Sequence, residues 1–130
     1  IFADSIQKGV PLKVFNHGDM LRDFTYVDDV VEGLVSVLDY PPDVNEEKPY
    51  YRILNIGHAD PVKLLDFIHA MEEVMGKKAK LDFQPMQAGD VTVTYADVRH
   101  LRELTGYQPR TSLTCGLNKF ISWYETYYDL

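Results

Sequence analysis

Three short stretches of the chain place charged, amide and aromatic side chains in turns, where binding residues concentrate. They span residues 14–19, 22–29 and 86–90. The first offers the ring of Phe15, the second the guanidinium of Arg22, and the third the carboxylate of Asp90 beside Gly89. These groups are suited, in turn, to stacking on a planar ligand, binding an anion and accepting hydrogen bonds from a ribose diol.

Arg22 lies shortly before a predicted helix that begins near Val27. A guanidinium beside the free N–H groups of a helix N-terminus forms an anion site. In a second interpretation, Arg22 pairs with Asp23, Asp28 or Asp29 and only shields an acidic turn. The two interpretations have equal weight on these residues alone.

The other candidates also have structural alternatives. Asp90 is either a ribose ligand or a solvated turn residue, and Phe15 is either a core aromatic or one face of a slot for a base. Asp28 or Asp29 is expected to be a first-turn acid stabilised by the helix dipole. The single Cys115 cannot form an internal disulfide, and its helical setting favours a small buried apolar role over a nucleophile.

Several kinds of active site are absent from the sequence. There is no glycine-rich dinucleotide turn or P-loop, no zinc-protease pair of histidines and no paired cysteine. The net charge of −7 argues against nucleic-acid binding, because neutralising phosphates needs a basic face. No run of apolar residues is long enough for a transmembrane helix, and no signal peptide is present, so we expect a cytoplasmic protein.

The apolar pattern predicts an α/β fold of helices and short strands. Strands are expected over residues 12–15, 51–56 and 80–84, and helices over 27–38, 60–75 and 97–105 and from about 112 onward. The helix over 60–75 is predicted to begin at Asp60 and end at Gly76. Residues 40–49 form the only stretch that resembles a linker. Residues 1–9 read as the end of a helix without an initiator methionine, so we expect a piece of a longer protein, with apolar surface left exposed.

The three stretches, with Asn55-Ile56-Gly57 and Ala96-Asp97 in the same order, resemble the extended short-chain dehydrogenase/reductases that act on nucleotide sugars. The similarity runs from Val10 to Tyr128 and is closest to UDP-glucuronate 4-epimerases. It implies that residues 1–130 are the C-terminal, substrate-binding lobe of a Rossmann-type enzyme. The N-terminal half that binds NAD and carries the catalytic Tyr-x-x-x-Lys pair would then be absent, so this chain alone is expected to be inactive.

The resemblance also assigns roles to individual residues. Arg22 is expected to contact the diphosphate of a UDP-sugar and Asp90 the uridine ribose. The strand that ends at Phe15 is expected to run past the uracil, with Val14 and Phe15 supplying backbone or ring contacts to it. Gln87 stands where many relatives carry arginine, so it would donate a hydrogen bond to the phosphates without adding a charge. No catalytic, cofactor-binding or metal-binding residue is expected in this chain.

The implied parent reaction is inversion at C4 of a UDP-hexuronic acid, by a homodimeric enzyme of carbohydrate biosynthesis. Two alternatives remain open. One is another UDP- or dTDP-sugar epimerase, dehydratase or decarboxylase of the same family. The other is a nucleotide-binding or assembly module without catalysis of its own.

Overall fold

The computed structural model describes residues 1–42 and 51–130. The expected linker over 40–49 therefore lies mostly outside the described residues. In chain order the elements are α1 (Phe2–Lys8), β1 (Pro11–Val14), a 3₁₀ turn (Phe15–Gly18), β2 (Leu21–Arg22), α2 (Val27–Ser36), β3 (Val62–Lys63), α3 (Leu64–Met75), β4 (Lys80–Phe83), α4 (Arg99–Thr105) and α5 (Leu113–Tyr128). This mixture of helices and short strands is the predicted α/β class.

The chain divides into two compact units, each made from separate stretches of sequence. The first unit contains residues 1–22, 61–94 and 112–130, and the second contains residues 23–60 and 95–111. The three predicted binding stretches are consequently split. The first and the third, together with Arg22, belong to the first unit, whereas the rest of the second stretch belongs to the second unit.

Two small sheets organise the first unit. Strand β1 runs parallel to β4, with Leu12 opposite Leu81, and β2 runs antiparallel to β3, with Arg22 opposite Val62. Leu21 also bridges to Val93, which brings the chain just after residue 90 alongside β2. The ends of β1, β2 and β4 thus hold the candidate binding residues of this unit.

The core of the first unit consists of two clusters of buried side chains, and α3 contributes to both. One cluster joins α3 to α1 and α5, and the other joins it to β1 and the chain before β2. Their buried members are Ala3, Ile6, Met71, Leu117, Ile121 and Tyr124 in the first, and Leu12, Val14, Met20, Leu64 and Ile68 in the second. Residues three or four positions apart lie on one face of a helix, so the predicted apolar stripe of α3 is confirmed.

The helix ends follow the local sequence at most termini. Gly9, Gly76 and Gly106 end α1, α3 and α4 with φ of 64°, 61° and 75°, in the left-handed region that glycine adopts without strain. The hydroxyl of Ser112 accepts a hydrogen bond from the Cys115 N–H and so caps α5.

The second unit packs around the ring of Tyr107 and the carboxylates of Asp23 and Asp29. Tyr107 is buried, and a Cβ on Gly33 of α2 would lie only 3.1 Å from its ring. Gly57 faces Ala96 so closely that any added Cβ would overlap the alanine methyl group. Close packing therefore requires glycine at position 57, whereas a Cβ at position 33 would force its neighbours to shift by a few tenths of an ångström.

Three expectations about the elements are wrong. Helix α3 begins at Leu64 rather than after Asp60, because Val62 and Lys63 are extended and pair with β2. Residues 51–56 form no strand within the described part of the chain, since a strand needs a paired neighbour and none is present. Cys115 is exposed rather than buried, because the core-facing side of α5 carries Leu117 and Ile121 instead.

Helix α2 forms where predicted, but its apolar stripe faces away from the core of its unit. Asp29 and Gly33 are buried, whereas Val31, Leu34 and Val35 are 50%, 54% and 58% exposed. The exposed apolar surface expected from the sequence is therefore confirmed on this helix.

Candidate functional site

Arg22 is fixed by contacts on both terminal nitrogens of its guanidinium. Nη2 donates to Oδ1 of Asp90 at 3.0 Å and lies 3.4 Å from Sδ of Met20. Nη1 donates to the carbonyls of Leu21 at 2.9 Å and Thr92 at 3.3 Å. The side chain is only 19% exposed, so the guanidinium is held at the edge of the first unit in one orientation.

This pairing differs from the local ion pair expected in the second interpretation of Arg22. Its acidic partner is Asp90, 68 positions away, rather than one of the aspartates that follow it in the sequence. The structure thus brings together the two residues expected to contact the diphosphate and the ribose. The helix N-terminus expected to complete an anion site belongs to the second unit. Of that expected site, the first unit contains only the guanidinium of Arg22.

Asp90 is positioned by a tight turn after β4. Its N–H donates to the carbonyl of Gln87 at 3.2 Å, and Gly89 between them has a φ of 83°. Oδ1 of Asp90 accepts from the N–H of Val91 at 2.8 Å as well as from Arg22. Asp90 is therefore more than a solvated turn residue, although its side chain stays 34% exposed.

Val14 and Phe15 differ in what they offer a ligand. The side chain of Val14 is completely buried, and its carbonyl accepts from the N–H of Gln84 at 2.9 Å. A ligand contact from the Val14 side chain is excluded by that burial. Phe15 is half-buried and belongs to neither core cluster of the described residues, so its ring remains a candidate for stacking.

The turn after Phe15 has an uncommon backbone. Asn16, His17 and Gly18 have φ values of 49°, 52° and 82°, three left-handed residues in succession. Such a run persists only where its surroundings hold it. Here the His17 N–H donates to the carbonyl of Gln84 at 3.1 Å, and a Cβ on Gly18 would lie 2.7 Å from the Leu65 side chain. This turn is thereby tied to the segment that leads into Gln87 and Asp90.

Gln87 lies at the first position of the Asp90 turn and is exposed. It brings a neutral amide to this edge. Arg22 is the only arginine of the first unit. The candidate site therefore consists of one guanidinium, its partner carboxylate, an exposed amide and a half-buried ring.

Two carboxylates of the second unit make long-range contacts that were not predicted from the sequence. Asp29 is 3% exposed and accepts hydrogen bonds from the N–H groups of Arg110 and Thr111, each at 3.2 Å. Oδ2 of Asp23 accepts from the N–H groups of Ala59 and Ala96, each at 3.0 Å. The expectation of a first-turn acid is incomplete for Asp29, because its main contacts are more than 80 positions away.

In the described part of the second unit, the groups with a shifted pKa are Asp97, its partner Arg99, and Tyr107. Hydrogen bonds from Arg99 lower the pKa of Asp97 from 3.8 to about 2. Burial raises the pKa of Tyr107, whose hydroxyl lies 3.4 Å from the carbonyl of Gly57. Both effects arise from packing and ion pairing within the unit.

Two other features are absent from residues 1–42 and 51–130. No group of three or more His, Cys, Asp or Glu side chains is arranged to hold a metal ion. No helix in these residues is long and apolar enough to cross a membrane.

Residues 1–57 match the model of the NAD dependent epimerase/dehydratase family. The similarity to individual proteins extends over nearly the whole chain. A probable UDP-glucuronate 4-epimerase of Rhizobium meliloti is 35% identical across 98% of this chain, and Protein CapI of Staphylococcus aureus is 38% identical across 98%. Proteins called UDP-glucuronate 4-epimerases are thus similar to this chain well beyond the part that the family model matches. The chain is much shorter than these relatives and spans 41% of the length of each of the two.

Solved structures of the family have the same fold in their C-terminal part. The UDP-glucuronic acid 4-epimerase of Bacillus cereus, in complex with UDP-glucuronic acid and NAD, superposes with a TM-score of 0.83 at 29% identity. The match covers 98% of this chain and 39% of that one. The UDP-glucose 4-epimerase of Thermotoga maritima, with UDP-glucose, gives 0.82 at 24% identity, covering 98% of this chain and 38% of that one, which supports the fold alone.

Proposed function

We propose that this chain is the C-terminal, UDP-sugar-binding segment of an NAD-dependent epimerase that inverts C4 of UDP-glucuronate. The observation that carries the proposal is the pairing of Arg22 with Asp90, which holds a fixed cation and a partly exposed carboxylate at one edge of the first unit. Similarity to UDP-glucuronate 4-epimerases across 98% of the chain supports the substrate.

Each site residue has a binding role in this proposal. Arg22 donates charge-assisted hydrogen bonds to the diphosphate, and Gln87 adds a neutral amide donor beside it. Asp90 accepts from the ribose hydroxyls, and the ring of Phe15 lies against the uracil. Together these contacts hold the UDP end of the substrate in one orientation. The attached sugar then presents its C4 atom to the reacting centre.

The catalytic half and NAD belong to the preceding part of the parent enzyme in this proposal. Bound NAD supplies reversible hydride transfer at C4, and the residues of this chain bind and orient the substrate. The resemblance to the family further supports a cytoplasmic, homodimeric parent in carbohydrate biosynthesis.

The test is calorimetric titration of UDP and UDP-glucuronate into the full-length protein in which this chain occurs. Losing a hydrogen bond from a charged group costs about 1.5–3 kcal/mol, so Arg22→Ala should weaken UDP binding about ten- to hundredfold. Lys8→Ala is the matched control, because it removes a cation from an exposed ion pair with Asp4 in the same unit.

Equal UDP affinity in the wild type and Arg22→Ala would refute the proposed site. The enzymatic part of the proposal is tested by incubating the same protein with UDP-glucuronate and NAD and measuring the C4 epimer. UDP binding through Arg22 without any epimer formed would instead support the nucleotide-binding module.

A further inference from the structure

Met20 connects the core of the first unit to the guanidinium of Arg22. The residue is 4% exposed and belongs to the buried cluster that contains Val14 and Ile68. Its Sδ atom nevertheless lies 3.4 Å from Nη2 of Arg22, within the range of a hydrogen bond to sulfur. The thioether therefore packs in the core on one side and contacts the cation on the other.

The backbone of Met20 is held at both of its polar groups. Its N–H donates to the carbonyl of Gly18, and its carbonyl accepts from the N–H of Leu64, each at 2.9 Å. Leu64 is the first residue of α3, so the Met20 carbonyl pairs with an N–H that has no partner inside the helix. Because the backbone is held and the side chain is buried, the sulfur is a fixed point beside the guanidinium.

The two partners of Nη2 differ in their effect on the charge of Arg22. Asp90 is anionic, and at 3.0 Å it compensates part of the positive charge. The thioether sulfur of Met20 is neutral and only a weak acceptor. Met20 therefore directs the N–H bond of Arg22 without cancelling the charge that an anion would bind.

We propose that Met20 is a positioning residue that acts through Arg22, by holding the guanidinium in the orientation that receives the diphosphate. This inference rests on the proposed function, because it assumes that Arg22 binds the diphosphate. A long side chain that moves freely loses that freedom when it binds a ligand, and the lost entropy weakens binding. An arginine that Met20 already orders loses less entropy, so the complex is tighter.

The experiment is calorimetric titration of UDP into the full-length protein in which this chain occurs. Met20→Leu removes the sulfur and keeps a buried apolar side chain of similar volume, a change that protein cores tolerate well. Met71→Leu is the matched control, because Met71 is 2% exposed and belongs to the other core cluster of the same unit. Met20→Leu is also made in an Arg22→Ala background, which completes a double-mutant cycle for the two residues.

We expect Met20→Leu to bind UDP about two- to tenfold more weakly than the wild type, the effect of ordering one long side chain on binding. Met71→Leu should bind UDP as the wild type does. In the Arg22→Ala background, Met20→Leu should have no further effect, because the residue through which it acts is already missing. A purely structural role of Met20 would weaken binding in both backgrounds.

Nitrogen NMR of the Arg22 guanidinium in the unliganded protein measures the positioning directly. Contacts on both terminal nitrogens restrict rotation of the group, so we expect separate Nη1 and Nη2 signals in the wild type. In Met20→Leu the two signals should broaden or merge as rotation becomes faster, whereas Met71→Leu should leave them separate. A single merged signal in the wild type would overturn the inference without any variant, because the guanidinium would then be mobile.

The outcomes separate this inference from the proposed function. Equal UDP affinity in Met20→Leu and the wild type overturns the positioning role, as does a loss that Met71→Leu reproduces or that persists in the Arg22→Ala background. In these cases the proposed site stands as long as Arg22→Ala alone weakens UDP binding. If UDP binding is absent or does not depend on Arg22, both the proposed function and this inference are overturned.

Discussion

The buried carboxylate of Asp29 provides a direct test of how the second unit is held together. Asp29 is 3% exposed, and its two oxygens accept from the N–H and hydroxyl of Thr111 and the N–H of Arg110, at 3.1–3.2 Å. In Asp29→Asn the side chain keeps its shape, but one oxygen is replaced by an NH₂ group. Both oxygens of Asp29 accept hydrogen bonds from residues 110–111. The NH₂ group donates and cannot accept, so it replaces an acceptor with a second donor at that contact.

The expected loss follows from these contacts. One hydrogen bond to a charged acceptor is removed, and a backbone N–H is left without a partner in a partly buried position. The hydrogen-bond distances are at the long end of the normal range. We therefore expect the free energy of unfolding of the unit to fall by about 2–3 kcal/mol, near the lower end of what these two losses together would cost. At 1.4 kcal/mol for each factor of ten, the amide of Thr111 should exchange about 30- to 140-fold faster.

The assay is native-state hydrogen exchange of the Thr111 amide followed by NMR. The matched control is Asp28→Asn, which removes the same charge from the first turn of α2 at an exposed position. Loss of a first-turn acid costs about 0.3–1 kcal/mol through the helix dipole, and both variants share this effect. Equal exchange rates for the Thr111 amide in the two variants would refute the anchoring role of Asp29.

Three further predictions concern local features of the fold. Ser112→Ala should destabilise the first unit by about 1 kcal/mol in urea unfolding through loss of the α5 cap, whereas Ser122→Ala on the same helix should not. Gly57→Ala should lower the thermal midpoint of the second unit by several degrees, through the steric overlap of its methyl group. Hydrogen bonding from Lys78 holds the pKa of Glu72 below 4.5, so its stabilising effect is complete above pH 4.5 and is lost as the pH falls through the lower folded value. Glu72→Gln should therefore lose less stability than the wild type between pH 7 and pH 3 in urea unfolding; an equal loss would contradict this assignment.

The features predicted correctly from the sequence are those set by neighbouring residues. The apolar spacing of Leu64, Ile68 and Met71 and the glycine at 76 determine the buried face and the end of α3 within a few turns of helix. The start of α5 near residue 112, which was also predicted, has the same local origin. Helix geometry repeats every 3.6 residues, so a window of about 15 residues contains the information needed.

The features that were missed depend on residues far apart in the chain. The start of α3 is delayed because Val62 pairs with Arg22, 40 positions earlier, and no local pattern records that pairing. Residues 51–56 have the composition of a strand, but composition cannot supply the neighbour that a strand requires. For the candidate site, the chemical types of Arg22 and Asp90 were readable from the sequence, whereas their contact with each other was not.

The interleaved connectivity of the two units has a consequence for synthesis of the protein. The core of the first unit joins Ala3 and Ile6 near one end of the chain to Leu117, Ile121 and Tyr124 near the other. A ribosome therefore completes the second unit's segments before it has made α5, the last component of the first unit's core. During that interval the apolar faces of α1 and α3 lack a covering helix, which makes the nascent chain a substrate for chaperones and a source of aggregation. Slow translation just before residue 113 would prolong this exposure, and added chaperone capacity should raise the yield of folded protein.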